Sequence, residues 1–250
     1  MALFKSGNPA LKQETFSGFA ESANAENVMT LQGTVNKTGL LLLTVFIPAM
    51  FVWDRFGAAE DFGAIAPYFL IGILGGTITG FVLVFNKHLA QYLSLLYAAF
   101  EGLVLGGLSA MMEARYPGIV IEALLLTFGI FWCLLLIYKF EIIKPSENFR
   151  LIVASATGGI AFYYFISIVL SFFGIAVPLV NDNSLFGILF SVFVVIVAAM
   201  NLVVDFDFIE QGAANGAPKY MEWYGAFGLM VTLIWLYVEI LRLLAKSRRR

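Results

Sequence analysis

A chain of 250 residues that is 60 % hydrophobic and 13 % charged, with a mean hydropathy of +0.88, is not a soluble domain, in which about 25 % of residues are charged. It reads as an all-α integral membrane protein, a single membrane domain over residues 28–250 behind a polar tail over residues 1–27. The net charge of −2 carries little, because membrane proteins use charge by position rather than by sum, and nothing calls for a nucleic-acid partner.

Residues 1–27 are interrupted by Gly7, Pro9 and Gly18, and Met1–Lys37 holds no apolar core of the kind a cleavable signal needs. From Val28 to Lys37 apolar and polar residues alternate, as expected of a stretch at the membrane interface. Seven apolar runs follow, near 38–53, 64–86, 91–112, 118–138, 149–173, 184–212 and 224–246. Each approaches the roughly 20 residues that cross a bilayer core of about 30 Å. The first is short and contains Pro48, so the interfacial stretch is a candidate to complete it. Lys5, Lys12, Lys37, Lys87, Lys139, Lys144, Arg150 and Lys219 fall on one side and place the N-terminus in the cytoplasm. An odd number of spans then puts Arg242, Lys246 and Arg248–Arg250 on the far side, unless the last run stops short of crossing.

Small residues recur every fourth position: Gly72, Gly76 and Gly80; Ala98, Gly102, Gly106 and Ala110; Ala154 and Gly158. This spacing lets membrane helices approach closely, and it predicts that these stripes form the core of the bundle. Cys133 lies within an apolar run and reads as a small packing residue.

Carboxylates are the anomaly. Glu101, Asp205, Asp207 and Glu239 stand inside apolar runs, where an ionisable group marks a functional site by default. Glu122 and Glu210 lie close enough to span ends to be solvated. Glu101 is about ten residues into its run, roughly 15 Å deep, beside the small-residue stripe. Asp205 and Glu239 reach a common level only if Ala213–Ala226 is an interfacial excursion and the last helix starts at Phe227. Gly216, Pro218 and Gly225 favour such a break. Asp207 is turned about 200° from Asp205 and takes a flanking role. Paired carboxyls in a low dielectric share a proton. A hard cation such as Ca²⁺ is the competing occupant, since it takes oxygen ligands. Asp205 and Glu239 are therefore the expected proton-sensing pair and Ca²⁺ site, with Asp207 and Glu101 as accessories. Arg242, one turn from Glu239, is the alternative partner for that acid. No other cofactor is called for.

Three stretches resemble the transmembrane Bax-inhibitor-motif family, which includes bacterial YccA-like proteins: Ala99-Phe-Glu101-Gly-Leu-Val-Leu-Gly106, Val204-Asp205-Phe-Asp207-Phe-Ile209 and Leu236-Tyr-Val-Glu239-Ile240. The stretch Val28–Gly39 looks like a bacterial branch of that family, and the likeness runs from about residue 28 to 245. The resemblance implies six helices around a central seventh, in the cytoplasmic membrane of a bacterium. It also implies a pH-sensitive calcium leak gated by two acids, at the positions of Asp205 and Glu239. The rival it suggests is a membrane interaction protein that modulates a protease or a stress response.

Other classes fit poorly. The one histidine, His88, sits in the short Asn86–Leu89 loop, so neither a histidine triad nor a histidine metal centre can be built, and no enzyme is expected. A retinal protein needs a lysine in the middle of its last helix, whereas Lys246 is at the end. No inverted repeat supports a secondary transporter.

Overall fold

The computed structural model describes residues 27–59, 61–143, 145–175, 177, 182 and 184–248. Most of the polar tail expected over residues 1–27 lies outside them. Among the described residues seven helices are long and apolar enough to cross a membrane: α1 Leu31–Ala59, α2 Ala66–Phe85, α3 Ala90–Arg115, α4 Ile119–Lys139, α5 Glu147–Phe172, α6 Leu185–Ala214 and α7 Met221–Arg248. The interfacial stretch does complete the first span, since α1 starts at Leu31.

Local signals explain the boundaries. The Thr30 hydroxyl accepts from Gly33 N–H at 3.0 Å and caps α1. Ser146 and Ser184 do the same for α5 and α6, accepting from Phe149 N–H and Gly187 N–H. Pro67 occupies the first turn of α2, where its missing N–H costs nothing. Gly216, at φ +68°, reverses the chain after α6 in a conformation that side chains with a Cβ rarely adopt.

The centre of the bundle is α7. Of its most apolar stretch 56 % is buried, against 11 % for α5, and it packs on α1, α3, α4 and α6. Two of the small-residue stripes do bring backbones together. A Cβ on Gly102 or Gly106 would meet the carbonyl oxygens of Val45 and Ala49 on α1, and Gly72 faces the Phe100 carbonyl across α2 and α3. The third stripe does not. Ala154 is exposed and nothing lies within 4 Å of a Cβ on Gly158, so this part of α5 faces lipid rather than the core. Cys133 is likewise exposed on α4 instead of packed.

The last helix runs the full length of the bundle. It starts beside Thr30 and ends with Arg248 donating to the carbonyls of Tyr116 and Pro117, in the loop between α3 and α4. Residues 27–30 and 248 therefore lie at opposite ends of the bundle.

Candidate functional site

The turn before α7 spans only residues 215–220, so α7 starts at Met221 rather than at Phe227. Residues 221–226 therefore add about 9 Å of helix. Glu239 is 18 residues from Met221, about 27 Å along the axis, while Asp205 is nine residues from the end of α6 at Ala214, about 14 Å. Thr232 faces Asp205 while its hydroxyl donates to the Gly228 carbonyl, and it precedes Glu239 by two turns. The expected direct pair of Asp205 and Glu239 is thus corrected: the carboxyls stand roughly 10 Å apart along α7 and engage different partners. Glu101 is the acid that shares a level with Asp205. Its neighbour one turn back, Tyr97, stacks edge-on against Phe227 at 4.9 Å, which sets Glu101 level with Val231 and next to the height of Thr232.

Each acid has a distinct setting. Asp205 lies on the face of α6 that packs on α7, and its Oδ2 is buried without a hydrogen-bond partner among the described residues. Glu101 lies beside Tyr97 and looks into a cavity of about 320 Å³ between α2 and α3, bordered by Gly76 and Gly80. Glu239, 1 % exposed, forms an ion pair with Arg242 at 2.7 Å and accepts from the Tyr164 hydroxyl of α5 at 3.0 Å. Arg242 also donates to that hydroxyl and stacks on its ring, so three groups from two helices close one another. The alternative partner expected for Glu239 is the one it has.

The flanking acids are paired toward the two ends of the bundle. Asp207 forms an ion pair with Arg150 of α5 at 2.6 Å and accepts two hydrogen bonds from Gln211. Glu210 accepts from the Tyr138 hydroxyl. Glu122 pairs with Arg248 at 2.7 Å in a half-exposed position. Asn201, one turn before Asp205, donates to Thr157 of α5 and to the Val197 carbonyl. Because the Asp207–Arg150 pair is partly solvated, Asp207→Asn is expected to cost less than about 1 kcal/mol in thermal unfolding.

Sequence reasoning missed a second constellation. Glu222 is 0 % exposed, in the first turn of α7. Its Oε1 accepts from the Thr30 N–H and hydroxyl, both at 2.8 Å, and faces Lys219 at 3.1 Å, while Oε2 binds Lys37. The strand-like bridge of Val28 with Pro218 and the bond from Met29 N–H to the Ala217 carbonyl tie the same two segments. A single carboxylate thus joins the starts of α1 and α7, and Gly33 leaves the room for it. The available signal was Thr30, a residue type that caps helix starts, ahead of the first apolar run.

Among the described residues no three His, Cys, Asp or Glu side chains gather as a metal-holding group. Ca²⁺ takes six to eight oxygen ligands. A carboxyl and a hydroxyl at Asp205 fall short of that, so the residues present do not form a resident calcium site. What the arrangement offers is a carboxyl at mid-depth with one buried oxygen unpartnered, a second carboxyl at its level, and nearer the Arg248 end an ion-paired carboxyl whose Oε2 is likewise buried without a hydrogen-bond partner among the described residues.

Comparison with known proteins gives one result. A family model described as Bax inhibitor 1 like matches residues 8–249. Among curated proteins and among solved structures nothing matches the chain.

Proposed function

The chain belongs to the Bax inhibitor 1 like family, and from that membership and the setting of Asp205 we propose that it is a proton-responsive cation leak through the bilayer, with Ca²⁺ as its cargo. The observation that carries this reading is the buried Asp205 Oδ2 without a partner. A structural carboxyl at bilayer depth is normally paired, because an isolated charge there costs several kcal/mol. Asp205 has one hydroxyl and no basic group in contact among the described residues. Its charge is therefore balanced in one of two ways, by a proton or by a cation from solution.

The other acids take supporting parts. Glu101, level with Asp205 and open to a cavity, supplies a second exchangeable carboxyl. The Glu239–Arg242–Tyr164 triad holds α5 to α7 and is the latch of the closed bundle. Cation occupancy of Asp205 requires the ionised form, so passage rises with pH and falls as the carboxyl takes up a proton.

Purified protein in liposomes loaded with a calcium dye tests the reading. The expected result is Ca²⁺ entry that grows between acidic and mildly alkaline buffer. Glu239→Gln, which weakens the latch, is expected to raise entry severalfold at every pH. Protein-containing liposomes no leakier than empty ones would sink the leak, and would favour a membrane protein that acts by binding a partner.

A further inference from the structure

Helix α2 carries no charged residue, and the Glu101 carboxyl of α3 lies against its middle. A Cβ on Gly76 would stand 3.4 Å from Glu101 Oε1, and a Cβ on Gly80 would stand 2.9 Å from the Tyr97 ring. The two glycines thus leave the room that the carboxyl and the ring occupy. Gly76 is the eleventh of the 20 residues of α2. Glu101 is therefore about 15 Å from either end of a helix that matches a bilayer core of about 30 Å. The cavity of about 320 Å³ that both side chains line opens sideways, because Ile73 and Thr77 on its rim are exposed. At this depth the opening meets hydrocarbon.

No basic side chain stands at this level on α1, α2, α3 or α7. Gly102 meets Val45 of α1 and Tyr97 meets Phe227 of α7, which sets Glu101 near the heights of Val45 and Val231. The nearest basic residues along those two helices are Lys37 and Arg242, each two turns or more away and each bound to its own carboxylate, Glu222 or Glu239. On α3 itself the one basic residue is Arg115, in the last turn. A lipid headgroup does not reach the middle of the bilayer, and a hydrated cation does not arrive through hydrocarbon. A ligand entering from the side must be membrane-soluble and bring its own partner for the carboxyl. Carboxylate and aromatic ring together are the groups that recognise an ammonium.

We propose that this cavity is a binding site for a lipophilic amine that enters from the bilayer between α2 and α3. The Glu101 carboxyl passes its proton to the amine nitrogen. The ammonium so formed donates its N–H to the carboxylate beside the Tyr97 ring, and the alkyl part extends past Ile73 into the lipid. The ion pair is favoured over a neutral hydrogen bond because a charge-assisted bond is about twice as strong. The site does not use Asp205, and its occupancy does not depend on cation passage.

Labelling with dicyclohexylcarbodiimide, a membrane-soluble reagent, tests the site on the wild-type protein in liposomes. The carboxyl O–H adds across one N=C bond, and the O-acylisourea rearranges to a stable N-acylurea with nothing lost. The reaction needs the protonated carboxyl, so an ion-paired Glu101 is protected. Adducts are located by peptide mass spectrometry, with N,N-dimethyldodecylamine or dodecanol added at matched membrane content. Glu101 is expected to be labelled when neither is present. Half-protection is expected at about tenfold less amine than alcohol, the worth of a hydrogen bond to a charged group. Dodecyltrimethylammonium, which has charge but no N–H and stays at the interface, is expected to protect no better than dodecanol. An unlabelled Glu101 means that the carboxyl is not reached from the bilayer and overturns the site. Equal protection by amine and alcohol, or by amine and quaternary ammonium, means membrane loading or surface charge only and overturns it as well.

Discussion

Glu222→Leu is expected to lower the unfolding stability of the detergent-solubilised protein by about 2–3 kcal/mol, the largest loss from any single polar side chain in the bundle. The carboxylate is fully buried and accepts from the Thr30 N–H and hydroxyl, Lys37 and Lys219. Leucine leaves the Thr30 N–H without an acceptor and turns the Lys37 ammonium toward apolar surface, at a side-chain exposure of 18 %. Removing one partner of a fully buried pair costs about 3–5 kcal/mol. Lys219 is half-exposed at 48 % and turns to water when its partner goes, so the lower figure applies. Glu222→Gln keeps an acceptor for Thr30 and is expected to fall between. Thermal unfolding followed by circular dichroism reads the order, and a leucine variant as stable as wild type would remove Glu222 from its place at the α1–α7 junction. Gly33→Ala is a second probe of the same junction, because its Cβ would fall on the Glu222 carboxyl.

Gly106→Ala is expected to cost about 1–3 kcal/mol through overpacking, with no compensating contact. Its Cβ would lie 2.7 Å from the Ala49 Cα and 2.9 Å from the Ala49 carbonyl carbon. Both are backbone atoms, so no rotamer change relieves the clash and α1 must shift off α3. Gly158→Ala is the matched control. It sits on α5 with open space around it, and it is expected to leave stability unchanged or slightly raised. Unfolding both variants side by side separates close packing from helix propensity. Equal behaviour would contradict the α1–α3 contact.

The two glycines also mark where the sequence was legible. Spans, their number and their order follow from apolar runs, because hydrocarbon thickness sets helix length. The stripes on α2 and α3 are read correctly for the same kind of reason: small residues at every fourth position put one face of a helix against another. Ala154 and Gly158 show the limit, since spacing states that a face is flat but not that a helix lies on it. The site was legible as residue types and not as geometry. Asp205, Glu101 and Glu239 stand out as acids in apolar runs. Their relative heights depend on where α7 starts, and helix breakers at Gly216, Pro218 and Gly225 suggested a longer excursion than the six-residue turn that forms. Gly225 is helical and lies against Ile209 and Thr34, so its role is close packing rather than a break. Glu222 was invisible for a different reason. Its partners Thr30 and Lys37 are 192 and 185 residues away, and no periodicity carries contacts of that range.

Lys246 teaches the same lesson at the other end. A lysine near a helix terminus ordinarily snorkels to water. Here it is buried, donating to the Gly187 carbonyl at 3.0 Å and the Ser191 hydroxyl at 2.9 Å, because α6 begins alongside the last turns of α7. The clasp at Glu222 and the bonds at Lys246 tie the two ends of α7 to its neighbours. Asp205 lies between them with one carboxyl oxygen unsatisfied.

The measurement that bears most directly on the proposed leak is Ca²⁺ entry into liposomes carrying wild-type protein or Asp205→Asn, followed from about pH 6 to about pH 8. Asparagine keeps the shape and carries no charge at any pH, so it fixes the site in the state that a protonated carboxyl has. The account predicts that wild-type entry rises with pH while Asp205→Asn stays at the low acidic level throughout. An Asp205→Asn protein that leaks with the same pH dependence as wild type would contradict it.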